Sequence, residues 1–174
     1  MSRRKLLNFI LLLGVLVLVL LPCTQALAEP TEGDAFGNWL VNCKVDEQDG
    51  RQGCFIVQNL VLREGGQRVL QVAIGFVKEA SEPIALISLP LGISLPPGTT
   101  LKVDELEPKR VQIERCEPNG CRAGLKLSEE ILKSLISGDQ LSVTFYDAKR
   151  QPIDVTLSLE GIEDGLAALA KPEL

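Results

Sequence analysis

The stretch LSVTFYDAKRQPIDVTLSLE (residues 141–160) contains two runs in which apolar and polar side chains alternate. The apolar members of these runs are Leu141, Val143 and Phe145, followed by Ile153, Val155, Leu157 and Leu159. Successive side chains of a strand point to opposite faces of a sheet, so a period of two indicates a strand with one face on a core. Both runs are therefore predicted to be half-buried strands.

Seven further segments are also predicted to be strands. Residues 55–62, 69–77 and 84–89 are more continuously apolar, as expected of strands in the centre of a sheet. The remaining four are the stretch around Trp39 and residues 101–104, 111–114 and 121–127. Roughly nine short strands separated by turn residues are typical of a β-sandwich, so the chain is predicted to be all-β.

Two short helices are predicted within this arrangement. Ser128 is a suitable N-cap for a helix that includes ILKSLIS (131–137), with Gly138 at its end. The sequence after Gly161 and Ile162, EDGLAALA (163–170), predicts a second helix. No segment resembles an interdomain linker, so residues 29–174 are predicted to form a single domain.

The first 28 residues have the composition of a secretory signal. Three basic residues precede a thirteen-residue apolar run at 9–21, and Ala26-Leu27-Ala28 fits a small-x-small cleavage site. A membrane-spanning helix needs ~18 or more apolar residues, which is longer than this run. Pro22 stands where lipid-modifying processing requires a small residue, so Cys23 is expected to leave with the signal. The sequence therefore predicts cleavage after Ala28 and export to the periplasm or cell envelope, with membrane contact only before cleavage.

The charge of the exported chain limits its partners. The leader holds three of the 18 basic residues and none of the 23 acidic ones, which leaves a net charge of −8. Nucleic acids and anionic bilayers are bound through clustered Lys and Arg side chains, and no basic cluster follows residue 5. We therefore expect neither of them as a direct partner.

Several kinds of catalytic and metal chemistry are also disfavoured. The chain has no histidine, and its single methionine is Met1, so imidazole and thioether ligands are missing from the exported protein. A Ser-His-Asp or Cys-His arrangement cannot form without histidine. The acidic loop from Asp46 to Gly50 departs from the calcium-loop pattern because glycine already occupies position 5. No cofactor motif and no metal-ligand set is predicted.

Four cysteines remain after cleavage, namely Cys43, Cys54, Cys116 and Cys121. Four cysteines permit three connectivities, among which sequence alone does not rigorously choose. The segment EPNG (117–120) fits a tight turn, which would place Cys116 opposite Cys121 on paired strands. Cys43 and Cys54 similarly flank a polar loop. Local geometry thus favours two hairpin disulfides over a metal clamp or a redox pair, as is usual in an oxidising compartment.

Some carboxylate and aromatic side chains are candidates for catalysis or binding. The carboxylates of Asp104, Glu105, Glu107 and Glu114 could include an acid/base pair for hydrolysis, although in an acidic exported protein such groups usually form a solvated face. Trp39 is interpreted as core packing and not as a ligand platform. Tyr146, on the polar face of its strand, is expected to be exposed.

Four segments together resemble the invasion-associated locus B family of secreted bacterial proteins. They are FGNWLVNC (36–43), LPLGISLPPGTTLKVD (89–104), CEPNGC (116–121) with the following Arg122 and Ala123, and VTLSLEGIEDGLAAL (155–169). The resemblance covers nearly the whole exported chain. It is specific because the four segments occur together in this order, whereas no single segment is distinctive. One departure is Ile162, where an aromatic residue is expected after the glycine.

The resemblance implies an immunoglobulin-like antiparallel β-sandwich with two disulfides, located in the periplasm or envelope and associated with bacterial invasion of host cells. It carries no catalytic motif. Together with the residue chemistry, it favours a non-enzymatic module that binds another envelope or host protein through an edge strand or an end loop. The alternative is a small exported hydrolase that uses an Asp/Glu pair.

Overall fold

A computed structural model describes residues 30–45, 50, 52–77 and 82–169. The expected signal peptide, residues 1–28, and Asp46 to Asp49 of the acidic loop lie outside the described residues. The described part contains eleven strands, namely β1 (Ala35–Phe36), β2 (Trp39–Val45), β3 (Gln52–Val61), β4 (Arg68–Gly75), β5 (Ile84–Leu89), β6 (Thr99–Val103), β7 (Lys109–Val111), β8 (Arg115–Glu117), β9 (Gly120–Lys126), β10 (Gln140–Tyr146) and β11 (Pro152–Ser158). It also contains two helices, α1 (Glu129–Ser137) and α2 (Ile162–Ala168).

The strands form two antiparallel sheets that pack as a sandwich. The larger sheet has the order β1-β2-β3-β4-β5-β9-β8, and the smaller one has the order β11-β10-β6-β7. The predicted all-β sandwich with two short helices is confirmed. The three segments predicted as central strands are β3, β4 and β5, which occupy the middle of the larger sheet.

The strand prediction was wrong in three details. The short strand β1 was not foreseen, because two residues give no measurable period, and β8 was expected only as the partner of Cys121 across the turn at residues 117–120. Residues 111–114 do not form a strand of their own, since β7 covers Lys109–Val111 and ends there. Ile153 lies on the outer edge strand β11 and is 38% exposed, because β11 has a neighbour on one side only.

The core lies between the facing sides of the two sheets. One row across the larger sheet is formed by Val41, Ile56, Ile74, Ala85 and Leu125, which are register partners in consecutive strand pairs. The smaller sheet faces this row with apolar side chains that include Leu101, Leu141 and Val143. Complete burial of an aliphatic side chain is worth ~1.5–3 kcal/mol, so the period-two pattern supplies the main stabilisation.

Two glycines outside the apolar core bring the first and last described segments of the chain together. Gly37 and Gly161 approach so closely that a Cβ on Gly161 would lie 2.2 Å from the carbonyl oxygen of Phe36. Both glycines have positive φ angles, 55° and 85°, which glycine adopts without strain. The segments 36–43 and 155–169, which carry part of the family resemblance, therefore meet at this point.

The helices follow their sequence signals. The Ser128 side chain accepts a hydrogen bond from the backbone amide of Ile131, as an N-cap does. Gly138 follows α1 in an extended conformation, and a Cβ there would lie 2.4 Å from Cγ1 of Val103. Glycine is thus required at this helix end by close packing against β6. Ile162 begins α2 and is 1% exposed, so the departure from an aromatic residue is accommodated within the core.

Both disulfides join the pairs of cysteines that local geometry favoured. Cys43 pairs with Cys54 across β2 and β3, and Cys116 pairs with Cys121 across β8 and β9. Their Cα separations of 4.0 and 3.9 Å are somewhat shorter than the distance expected for facing residues of antiparallel strands. Each disulfide therefore closes one hairpin of the larger sheet.

Among the residues described, no helix has the length and apolar character needed to cross a membrane.

Candidate functional site

The carboxylates considered for catalysis have separate structural surroundings. Asp104 lies just after β6, and its two carboxylate oxygens accept hydrogen bonds from the backbone amides of Asp139 and Gln140, both at 3.0 Å. It therefore joins the end of β6 to the start of β10. Glu105 forms an exposed ion pair with Lys102 at 3.0 Å.

The other two candidates lie on different surfaces. Oε1 of Glu114 lies 2.9 Å from the position that a Cβ on Gly124 would occupy, over the outer face of the larger sheet. Glu107 lies in the turn before β7, at the rim of a cavity described below. Within the described ranges, no three Cys, Asp or Glu side chains are grouped so that they could hold a metal ion.

The two aromatic candidates differ in burial. Trp39 is fully buried, which confirms its interpretation as a core residue. Its indole nitrogen has no hydrogen-bond partner among the described residues. Tyr146 is half-buried at the end of β10, where its backbone carbonyl accepts a hydrogen bond from Ser94 at 2.8 Å. The prediction that Tyr146 is exposed was thus only partly right.

A cavity of about 520 Å³ opens between the two sheets beside α1. Its walls are mainly aliphatic and come from β4, β5 and β9 on one side and from β6, β10 and α1 on the other. The aliphatic wall residues are Val72, Ile74, Ala85, Leu101, Val103, Leu125, Leu127, Ile131, Leu135 and Leu141, and Pro108 and Ser134 also line the cavity. Ligand cavities in proteins usually measure ~300–1,000 Å³, so this space is large enough for a small molecule.

The cavity exists because the smaller sheet does not cover the larger one at this end. Strand β6 ends at Val103, and β7 begins only at Lys109, so residues 104–108 leave the sheet. Helix α1 crosses this region and contributes Ile131 and Leu135 to the wall. Leu106 stands at the rim and is 51% exposed.

The rim carries one cationic and two anionic side chains. In the register of β6 and β7, Lys109 is opposite Leu101, whose side chain is in the core. Side chains of directly opposed residues lie on the same face of a sheet, so Lys109 extends from the inner face toward the mouth. Glu107 and Glu130 also line the mouth, and in the described part of the chain none of the three forms an ion pair.

Perturbed acid–base groups are found away from this cavity. The guanidinium of Arg115 donates a hydrogen bond to Glu117 at 3.0 Å and lowers the pKa of that carboxyl, with a further contribution from Arg122. The backbone amide of Thr31 similarly lowers the pKa of Asp34. Both carboxyls are exposed, and they stabilise a surface hairpin and a turn.

A second, shallower depression of about 710 Å³ lies between the end of α1, β11 and the start of α2. It is lined mainly by backbone and polar groups, with four carboxylates at Asp139, Glu160, Glu163 and Asp164. Glu160 accepts a hydrogen bond from the side-chain amide of Asn38 at 3.4 Å. This groove has few apolar side chains with which to exclude water from a ligand.

Sequence reasoning did not find the cavity. Its wall residues have the same alternation as the closed core, so periodicity alone does not distinguish a filled interior from an open one. The local signal was the run Leu106-Glu107-Pro108-Lys109, where a leucine and a lysine flank a proline between two strands. That run could have been recognised as a gap in β6–β7 pairing because proline cannot donate to a sheet ladder.

Comparison with known proteins identifies the family of this fold. The family described as "Invasion associated locus B (IalB) protein" matches residues 39–170. An invasion protein B homolog of Brucella abortus (strain 2308) is 28% identical over 142 residues, covering 79% of this chain and 80% of the relative. The homolog of Brucella abortus biovar 1 (strain 9-941) gives the same values.

The fold comparison agrees with the sequence match. The crystal structure of invasion associated protein B from Bartonella henselae matches with a TM-score of 0.66 at 21% sequence identity, and the match covers 77% of this chain and 91% of that chain. This likeness is one of fold. Because the family match spans well over half of its residues, the chain belongs to the invasion-associated locus B family.

Proposed function

We propose that this chain is an exported, non-enzymatic binding module of the bacterial periplasm or envelope. The main observation in favour of binding is the cavity of about 520 Å³, lined mainly by aliphatic side chains, that opens to solvent between the sheets. Apolar walls that face a void lose the dispersion contacts of a packed interior, and an apolar ligand restores them. Binding is therefore the activity that this site supports best.

The proposal of a module without catalysis is supported by where the carboxylates lie. Asp104 is engaged by two backbone amides, and Glu105 is paired with Lys102. A general acid or base must reach the reacting group of a substrate directly or through one water. Asp104 instead holds β6 and β10 together, and Glu105 forms a surface ion pair with Lys102 of β6.

Export is supported by the signal-like composition of the amino-terminal residues and by two disulfides, which persist in oxidising compartments. The intact mass of the protein recovered from the envelope fraction should correspond to a chain that begins at Glu29. A mature amino terminus at a lipid-modified Cys23 would contradict this assignment.

We further propose that the partner is another envelope or host protein and that the module assists bacterial invasion. The names of the Brucella relatives associate those proteins with invasion. Strand β11 supplies a suitable surface, because it pairs with β10 on one side only and has seven residues. An exposed edge of this kind can accept a strand from a partner.

The binding activity is tested with a neutral apolar fluorophore, N-phenyl-1-naphthylamine. We expect saturable fluorescence enhancement at one site per chain, which the variant Ser134→Phe should abolish by filling the cavity. The matched control is Ser137→Phe, since Ser137 is exposed on the same helix but does not line the cavity. Equal fluorescence from both variants would show that the probe binds elsewhere.

The same preparations should be assayed on panels of glycan, peptide and ester substrates. We expect no turnover above the buffer rate. Saturable turnover that a single substitution such as Glu163→Gln or Asp139→Asn removes would overturn the non-enzymatic assignment and establish the hydrolase alternative.

A further inference from the structure

We infer that the cavity binds an amphiphile with one aliphatic chain and a zwitterionic headgroup, the chain lying between the sheets and the headgroup at the rim. This inference rests on the proposed binding function and names its ligand class. It follows from two features of the cavity, the composition of its walls and the charges of its mouth.

The walls fit a single hydrocarbon chain. Ten of the wall side chains are aliphatic and belong to the facing surfaces of the sheets and to α1, and Ser134 of α1 is the uncharged polar side chain among the lining residues. With ~30 Å³ per chain carbon, close to the volume of one water in the liquid, about 520 Å³ holds on the order of 17 carbons. That length is one acyl chain, and a second chain of equal length would not fit.

The mouth fits a headgroup that carries both signs of charge. Lys109 extends from the inner face of β7, while Glu107 precedes that strand and Glu130 lies on the first turn of α1. A phosphate can pair with the Lys109 ammonium, and a cationic group can pair with either carboxylate. The three side chains have no ion-pair partners among the described residues, so they are available for these contacts.

Singly charged amphiphiles satisfy this mouth less well. A fatty acid places its carboxylate beside Lys109 and also beside two like charges. An alkylammonium compound meets the two carboxylates and is opposed by Lys109. Like charges at short range disfavour binding, whereas complementary ones select the correct partner.

An inward-pointing lysine on a short edge strand has another possible purpose, which is to hinder edge-to-edge pairing with a second copy. That role predicts that Lys109→Gln increases self-association without changing ligand selectivity. The binding role predicts a change of selectivity, so the same variant distinguishes the two.

The test uses the protein as its own cell processes it, with three probes of equal chain length. They are a lysophosphatidylcholine with a fourteen-carbon chain, tetradecanoate and tetradecyltrimethylammonium, each kept below its critical micelle concentration. Native mass spectrometry gives the stoichiometry, and displacement of the fluorophore gives the affinity. We expect one lysophosphatidylcholine per chain, bound at least tenfold more tightly than either singly charged probe.

The variants assign this selectivity to the rim. Lys109→Gln should weaken the lysophosphatidylcholine about tenfold and strengthen the cationic probe. The double variant Glu107→Gln, Glu130→Gln should strengthen tetradecanoate. Ser134→Phe should remove binding of all three probes, and the control Ser137→Phe should retain it.

The outcomes distinguish a failure of the headgroup inference from a failure of the proposed binding function. If the three probes bind equally and Ser134→Phe removes them, the cavity is a binding site but the headgroup inference is wrong. If neither the fluorophore nor any probe binds, the proposed function fails as well. Binding of all probes that persists in Ser134→Phe would also overturn the inference. So would native mass spectra in which Lys109→Gln increases self-association and leaves ligand selectivity unchanged.

Discussion

At the scale of single residues, a buried glutamine connects the two sheets. Gln58 lies on β3, faces the core and is 8% exposed. Its side-chain amide donates to the carbonyl oxygen of Ser158 at 2.9 Å, and its side-chain oxygen accepts from the amide of Ser158 at 3.2 Å. The glutamine thereby satisfies both backbone groups at the end of β11, which has no neighbouring strand on that side.

Replacement of this side chain should be costly. Gln58→Leu keeps the approximate volume but leaves both backbone groups of Ser158 without partners, so we expect a loss of ~1–3 kcal/mol in the free energy of unfolding. Chemical denaturation followed by circular dichroism measures it. Gln71→Leu is the matched control, because its amide bonds an exposed Asn59 on the outer face and its loss should cost ~0.5 kcal/mol or less. Equal effects of the two substitutions would contradict the bridging role.

At the scale of elements, each disulfide fixes one hairpin at the side of the larger sheet. The Cys43–Cys54 disulfide joins β2 to β3, and the Cys116–Cys121 disulfide joins β8 to β9. The second hairpin also has the Glu117 carboxylate between Arg115 and Arg122. Because the pKa of Glu117 is lowered in the folded protein, this link contributes at neutral pH and is lost as the pH falls through that lowered pKa.

The two disulfides should differ in their contribution. In the loop-entropy account, removing the twelve-residue ring by Cys43→Ala with Cys54→Ala should cost ~3 kcal/mol, and removing the six-residue ring at Cys116 and Cys121 should cost ~2 kcal/mol. Denaturation of each double variant against the unreduced protein measures these values. As a control, thiol titration of the unfolded, unreduced wild type should find no free thiol among the four. Recovery of a peptide that links Cys43 to Cys116 would contradict the pairing.

At the scale of the whole molecule, two sheets of unequal width share one core. The larger sheet has seven strands and the smaller four, and buried side chains of both belong to a single apolar cluster. Neither sheet buries its inner face without the other. The uncovered part of the larger sheet is where α1 packs and where the cavity opens.

A shared core predicts a single cooperative unfolding transition. Trp39, the only tryptophan, is fully buried on the larger sheet, so its fluorescence reports that sheet, while far-ultraviolet circular dichroism reports all strands. We expect the two denaturation midpoints to coincide, as they do in small two-state domains. Hydrogen exchange should likewise show equal maximal protection in β4 and β10. Two separate transitions, with the smaller sheet unfolding first, would contradict the prediction.

The sequence by itself indicated most of the strands, the central position of β3, β4 and β5 and both helices, and it favoured the local disulfide pairing that the structure has. These features depend on short-range rules, because side-chain alternation, N-capping and tight turns involve residues close together in the chain. The burial of Trp39 was also predictable, since it lies beside a cysteine on an apolar strand. The strand pattern and the family resemblance both indicated a β-sandwich, which the fold confirms.

The tertiary structure alone decided the site. Gln58 was one polar residue in an apolar run until Ser158, one hundred positions later, was placed against it. Asp104 was a catalytic candidate until its oxygens were seen to accept the amides of residues 139 and 140. The cavity depends on how far the smaller sheet extends over the larger one, which is set by contacts among six strands and a helix. Periodicity specifies which side chains turn inward, whereas only the packed sheets determine whether the space between them is filled.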